Sequence, residues 1–592
     1  MVKITPDCRL FSIKDKELVV KKMFFPILKG NSGKKSEISA FGGLNLTESF
    51  VLGEFSDMEN ITSDKFPSLC PSVKKDKLLI NSEIKNIQGF AYHGDDEIEV
   101  SGFTGVADGK YYYQDKHIPF AYDFMKIPVD SKVDLLNYGD KIIIMPMMYV
   151  HEYKKNIKGQ DVYPLFSGSF DDFLTISTNS GDDGTISISF ETNSEESWLE
   201  MGFTEGDSVV IECDEEGYSR LNVYIKKDKY ETGLDYRTIV EAIVKEVSSK
   251  KLTLYMYNDS GTLRGVTDDK GNDFTYEFKR TVRVYKRYPE FENACIYANR
   301  MWLTAKDGEK IYASVPGNFK EFAKFEGLST DSWYTEVGDE GRFTGITSFK
   351  DGVLAFKENR IYHILGDRPV NFNIAKRFFN CGAIDAKTIC LTDTAVYFMG
   401  SDGIYEYSGG NPVNISKTLG IKKYLSGSAF SDGKKYYFSC NGDGKIYAYD
   451  RSARLWHVEA LFDLCNGVKI KSEIYLASKD SVFKLSDIYE NEWSAILCDI
   501  TEKSMEHKGI NDIFIRIKNS DNSYARVSVS LNDGEFSECG FTDTPGEFTF
   551  RVPVRFKKGD KYNIKISGKG NSVIKGIERS FYVGGGAFTR KG

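Results

Sequence analysis

The chain has 592 residues, with 78 Lys and Arg against 86 Asp and Glu, for a formal net charge of −8. Hydrophobic residues make up 41% and charged residues 28%, which excludes disordered and membrane-spanning compositions, and the acidic balance argues against a dedicated phosphate-backbone binder. Fifty-three Gly beside only 14 Pro exclude collagen-like and Pro-rich chains, while 35 Tyr, 41 Phe and 5 Trp make the protein rich in aromatics.

In chain order, residues 1–79 carry no repeat and few turn signals, and read as an extended N-terminal arm. The opening MVKITPDCRLF has neither the charged nor the apolar region of a secretory leader. The longest apolar run, Ile142 to Val150, is nine residues broken by Pro146, far short of the roughly 20 that span a bilayer. Ten cysteines without a CxxC pair complete the expectation of synthesis in a reducing cytoplasm, with free and mostly buried thiols.

From residue 80 onward strand signals dominate. Short runs of Val, Ile, Tyr and Phe are separated by Asp-Gly, Asn-Gly and Gly-Asp turns, as at Asp108-Gly109, Gly139-Asp140 and Asp432-Gly433. The class is all-β. Five turn-and-strand units recur at Asn299–Leu303, Asp351–Phe356, Asp393–Phe398, Asp432–Phe438 and Ser472–Leu476. A second strand with an aliphatic–aromatic pair follows each: Ile311-Tyr312, Ile361-Tyr362, Ile404-Tyr405, Ile446-Tyr447 and Val482-Phe483. Pro369-Val370-Asn371-Phe372 is echoed by Pro412-Val413-Asn414-Ile415. A period of about 40–50 residues with several short strands per unit predicts the blades of a β-propeller.

Weaker units at Gly89–Ile118 and Val133–Tyr153 bring the expectation to seven blades, with six as the alternative. The propeller is therefore expected over 80–163 and 286–488. Between them, 164–285 reads as an inserted β-rich domain, with one amphipathic helix predicted at Tyr236–Ser248 because Ile239, Ala242, Ile243 and Val247 share a helical face. Residues 489–592 alternate apolar and polar positions, as in Ile513–Ile517 and Ala525–Leu531, and predict a C-terminal β-sandwich.

The motifs that hint at chemistry are incomplete. In Gly30-Asn31-Ser32-Gly33-Lys34-Lys35-Ser36 the glycines stand too close for a phosphate loop, and Lys35 sits where a hydroxyl is needed. His151-Glu152 lacks its second metal ligand, since Lys155 takes that place. Ser180–Thr185 and Asp268–Asp273 read as hairpin turns, which select Asp and Gly for their backbone freedom. No residue is assigned a catalytic, cofactor-binding or metal role, and no cofactor is expected. A facing pair of carboxylates stays open, because 86 acidic residues offer too many combinations.

Several stretches resemble the stabilisation or tail-nozzle family of bacteriophage virion proteins and related prophage proteins of Gram-positive bacteria. Phe41-Gly42-Gly43-Leu44-Asn45 with Gly53–Ile61 is similar to its N-terminal signature, although Phe66–Pro71 stands where an Arg-rich turn is expected. Arg300-Met301-Trp302, Glu309–Ser314, Phe325–Trp333, Phe343–Ile346, Phe356–Tyr362, Ser401–Tyr405, Ile564–Gly570 and Ile577-Glu578-Arg579 are similar as well. The resemblance implies a non-catalytic nozzle or adaptor ring in the virion tail, assembled in the host bacterial cytoplasm. Its partners would be other tail proteins on the portal and tip sides and further copies of itself. DNA would pass without specific binding, and no membrane would be entered. The alternatives are a tail-tip or baseplate protein that touches the host surface, and a carbohydrate-binding or carbohydrate-cleaving propeller.

Overall fold

The computed structural model describes residues 9–14, 17–22 and 34–584, other than 81–83, 94–98, 108, 116–117, 123–131, 147, 155–161, 165–167, 171–173, 181–185, 193–196, 200–202, 204, 214–239, 258–262, 265–274, 279–281, 287, 323, 326, 421–422, 441 and 555–557. The described residues form fifty strands and two short 3₁₀ turns, and none of their helices is long and apolar enough to cross a membrane. The chain is nearly all-β and built from small antiparallel sheets, as its turn-punctuated sequence predicts.

Seven four-stranded antiparallel sheets follow one another along the chain. Sheet one opens with strand Ile84–His93, sheet two with Asp134–Tyr138 and sheet three with Phe291–Tyr297. Sheets four to seven open with Phe343–Phe349, Cys390–Leu391, Gly427–Ser431 and Asn466–Ile470. Each opening strand touches the opening strands of the sheets before and after it, and that of sheet seven touches that of sheet one. Sheet seven draws only three strands from its own stretch; Lys75–Ile80 pairs with Ser481–Leu485 as the fourth.

Separate apolar clusters lie between neighbouring sheets, and the strand period explains them. In Lys141–Met145, Ile142 and Ile144 pack toward sheet one while Ile143 and Met145 pack toward sheet three. Because successive side chains point to opposite faces, a strand covered on both sides reads as a continuous apolar run. The aliphatic–aromatic pairs obey the same rule. All five lie in the third strand of their sheet, and Ile311, Ile361, Ile404 and Ile446 are fully buried. The aliphatic member packs toward the following sheet, as Ile361 does toward Val396 and Phe398. The tyrosine turns to the preceding sheet and its hydroxyl donates to an acid: Tyr362 to Asp339 (2.7 Å), Tyr405 to Asp402 (2.9 Å) and Tyr447 to Asp443 (2.8 Å).

Nine strands between Gly168 and Lys286 form one sheet in the stretch expected as an insertion. The helix predicted there is a correction: of its described residues 240–248, Val240–Val247 is a strand paired with Lys251–Tyr257. Val240, Ile243, Val244 and Val247 are β-branched and stiff at χ1, which suits a pleated surface better than a helix, and Ser248-Ser249-Lys250 supplies the turn.

Two further sheets involve the C-terminal residues. One orders Lys34–Ile38, Ser572–Val583, Lys508–Asn519 and Gly546–Pro553; the other orders Phe55–Glu59, Glu492–Leu497, Tyr562–Lys569, Tyr524–Leu531 and Ser537–Thr542. Their inner residues, among them Ile513, Ile515, Val527 and Ile564, share one core with Tyr397, Met399, Phe438 and Trp456 of sheets five and six. Three strands of the expected arm are thus members of distant sheets rather than a separate element: Lys34–Ile38, Phe55–Glu59 and Lys75–Ile80.

Candidate functional site

The opening strands surround a cavity of about 310 Å³, lined by residues from all seven sheets or their lead-ins. Asparagines dominate its chemistry, each tying one sheet to the next. Asn86 donates to the carbonyl of Val133 (3.0 Å), Asn293 to that of Phe343 (3.4 Å) and Asn466 to that of Ile87 (3.1 Å). Among the described lining residues Asp134 is the one carboxylate, and it lies 3.3 Å from the Lys132 ammonium, which also donates to Asn293. Glycoside cleavage needs two carboxyl groups flanking the bond, and the described lining supplies one.

A second group of residues holds the N-terminal segment. Gly43 lies against the outer strand of sheet six, where a Cβ would come within 2.6 Å of the Trp456 carbonyl oxygen. Leu44 N–H donates to that carbonyl (2.7 Å), Asn45 N–H to Phe55 O (2.8 Å) and Phe55 N–H to Gly43 O (3.1 Å). The Asn45 amide and Val51 N–H both donate to the Glu54 carboxylate. Asn60, in the left-handed region that asparagine tolerates, donates to Glu492 O at 2.8 Å. The Gly-Gly-Leu-Asn segment is a seam between sheet six and the C-terminal sheets.

Beyond this seam lies an ionic cluster in which Lys435 and Glu459 are buried and Asp64 reaches the surface. The Lys435 ammonium sits 2.6 Å from Glu459, 2.8 Å from Asp64 and 2.7 Å from the Thr62 hydroxyl. Burial alone would depress Lys435, but Glu459 and Asp64 outweigh it and hold the ammonium above the usual lysine range. Burial pushes Lys75, at the start of the strand that completes sheet seven, down to about 8, with Glu459 opposing. Burial and then Lys435 push His457 down to about 3, so it stays neutral. A second buried pair joins Arg579 to Glu502 (3.0 Å) and to the Ser36 hydroxyl (2.8 Å).

The incomplete motifs fall into separate places. Lys34, Lys35 and Ser36 form a strand beside Arg579–Phe581, with Lys35 paired to Glu578 at 2.7 Å, while Gly30–Gly33 lie outside the described residues. His151 is buried, 2.7 Å from the Tyr111 hydroxyl, and Glu152 pairs with Lys141. His363 and Tyr407 repeat the His–Tyr contact between sheets four and five. Residues 181–185 and 268–273 lie outside the described residues. No three His, Cys, Asp or Glu among the described residues gather as a metal site. The described cysteines are free, and burial raises the thiols of Cys70 to about 11 and of Cys390 and Cys498 to about 12.

A cavity that sequence reasoning missed, about 550 Å³, lies at the outer edge of sheets three and four between Phe325–Tyr334 and Arg368–Val370. The buried guanidinium of Arg300 fixes its wall by donating to the carbonyls of Ser314 (2.6 Å), Ser329 (3.0 Å) and Asp331. Trp302, Trp333 and Phe372 pack as a cluster of edge-on and tilted rings behind it. Phe325, Leu328, Tyr334 and Val370 stay largely exposed. The available signal was a polar turn, Leu-Ser-Thr-Asp-Ser, bracketed by Phe325, Trp333 and Tyr334.

Comparison with protein-family models and with curated proteins finds no match. Among solved structures the chain is similar to an exo-β-1,3-galactanase variant with β-1,3-galactotriose from Phanerochaete chrysosporium, at 9% identity and a TM-score of 0.21, over 53% of this chain and 98% of that one. It is also similar to BamB from Moraxella catarrhalis, at 13% identity and a TM-score of 0.24, over 60% and 94%. Likeness this low carries no functional argument.

Proposed function

We propose that the chain is a structural protein of a bacteriophage tail, a non-catalytic nozzle or adaptor subunit built on a closed seven-bladed β-propeller. The cyclic contact of the seven opening strands and the completion of sheet seven by Lys75–Ile80 support the closed propeller. The observation that carries the virion reading is the seam. The residues that resemble the tail-nozzle signature, Gly42–Asn45 and Glu54–Asn60, join sheet six to the C-terminal sheets, so the resemblance falls on residues that hold the fold together, which supports a structural role. In support of a non-catalytic role, the central cavity is clasped by asparagines and its Asp134 is paired with Lys132.

That cavity, about 310 Å³, has the size of a small-molecule site. A DNA duplex, whose major groove alone is about 12 Å wide, would therefore pass between subunits of a ring and not through one propeller. Particles purified from bacteria that carry the gene, imaged by electron microscopy with this protein located, test the reading. Several copies around the tail axis are expected; absence from the particles, or a single central copy, overturns it. A tail-tip position in contact with the host surface is the second reading, and the exposed aromatic cavity beside Tyr334 favours it.

A further inference from the structure

We infer that the central cavity is a binding site for a small anion bearing a carboxylate or phosphate group. Its volume, about 310 Å³, lies at the small end of ligand sites. Several of its polar lining residues stand where the opening strands begin: Lys85 and Asn86 of sheet one, Asp134 of sheet two and Asn466 of sheet seven. Amides join these starts into one arc. The Asn466 amide donates to Asn86 Oδ1, and the Asn86 amide donates to the carbonyl of Val133, the residue before Asp134.

Charge sets this cavity apart from the rest of the chain. Its described lining residues include two cations, Lys85 and Lys387, and one carboxylate, Asp134. Lys132 lies 3.3 Å from that carboxylate and offsets it. The lining is therefore net positive in a chain of net charge −8. A concave site lined by one sign of charge focuses the field and concentrates ions of the other sign. Lys387 belongs to the 3₁₀ turn Ala386–Thr388 that leads into sheet five, and its ammonium makes no hydrogen bond or ion pair among the described residues. Burial raises the thiol of Cys465, another lining residue, and Lys387 is the largest of the charges opposing that rise, so the ammonium lies within reach of Cys465.

These groups select among ligands. A cation would face Lys85 and Lys387 and would have to displace Lys132 from Asp134. A neutral polyol would meet amides that are already engaged: Asn466 on Asn86 and Ile87, Asn86 on Val133, and Asn293 on Thr304 and Phe343. An ammonium carries three donors, and those of Lys387 are open to a ligand. Its bonds to a carboxylate or phosphate are charge-assisted, roughly twice as strong as neutral ones, so an anion gains most. The inference does not rest on the virion reading.

The test is isothermal titration calorimetry of the full chain with inorganic phosphate, citrate, glycerol phosphate and glycerol, at ionic strength matched with sodium chloride. At least one anion should bind saturably in the millimolar range or tighter, and Lys387→Gln and Lys85→Gln should each weaken it about fivefold or more. Phosphate against citrate tells which anionic group is preferred, and glycerol should not bind. Lys387 is exposed on a turn, so Lys387→Gln keeps the test decisive should Lys85→Gln fail to fold. No saturable binding by any anion overturns the inference. So does binding that Lys387→Gln leaves unchanged, or glycerol binding as tightly as glycerol phosphate.

Discussion

Ile404 shows what a single residue of the repeat does. It is fully buried and packs in the core shared by sheets five and six and the C-terminal sheets, so Ile404→Ala leaves a cavity in that core. Chemical denaturation should show a loss of about 2–5 kcal/mol, and a loss below about 1 kcal/mol would contradict the packing. His457 gives the residue-scale prediction for pH. Its neutral form is buried beside Lys435, with Asp450 and Asp64 opposing more weakly, and its folded pKa near 3 lies below the unfolded value near 6.5. The unfolded chain therefore binds the proton first as pH falls. Stability is full above about 6.5 and is lost progressively toward 3, by up to about 1.4 kcal/mol per pH unit from this group. His457→Leu should flatten that slope in denaturation curves measured between pH 6.5 and 4; an unchanged slope would assign the acid sensitivity to other groups.

At the scale of elements, the aliphatic–aromatic pairs were legible because each third strand meets the same two neighbours: the aliphatic group faces the next sheet, as Ile361 does, and the ring faces the previous one, as Tyr362 does. The pairings of the N-terminal strands were not legible. Lys75–Ile80 finds its partner about 400 residues downstream, and Phe55–Glu59 joins Glu492–Leu497, so nothing local in either stretch announces the other. The strand at Val240–Val247 failed for the opposite reason, since its apolar positions happen to satisfy helical spacing as well. The cavity beside Tyr334 was hidden because its wall depends on Arg300, a residue from another strand. The seam is the element to test. Gly43→Ala places a methyl group against the Trp456 backbone and should cost about 1–3 kcal/mol by overpacking, with far-ultraviolet circular dichroism unchanged. Gly139→Ala, where a Cβ would meet no atom within 4 Å but the backbone has positive φ, separates the cost of strain from that of contact.

For the whole molecule, the net charge of −8 and the size of the central cavity bear on the same question. A subunit that held DNA would need a surplus of Lys and Arg, because release of counterions from the phosphates supplies most of non-specific affinity. A subunit that only guides DNA needs the reverse, a surface from which the duplex slips. With a central cavity of only about 310 Å³, the proposed reading gives that surface to a closed ring of copies, the usual solution when one interface is repeated. The seam and the shared core would then hold the seven sheets and the C-terminal sheets as one unit while neighbours meet through other faces. The purified protein at about 0.15 M salt should therefore leave duplex DNA unretarded in a gel even at micromolar protein, where basic proteins with non-specific Kd values near 10⁻⁶ M already bind. A salt-sensitive complex under those conditions would show that a basic face outweighs the net charge, and the guiding role would have to be abandoned for one in which the protein grips the DNA.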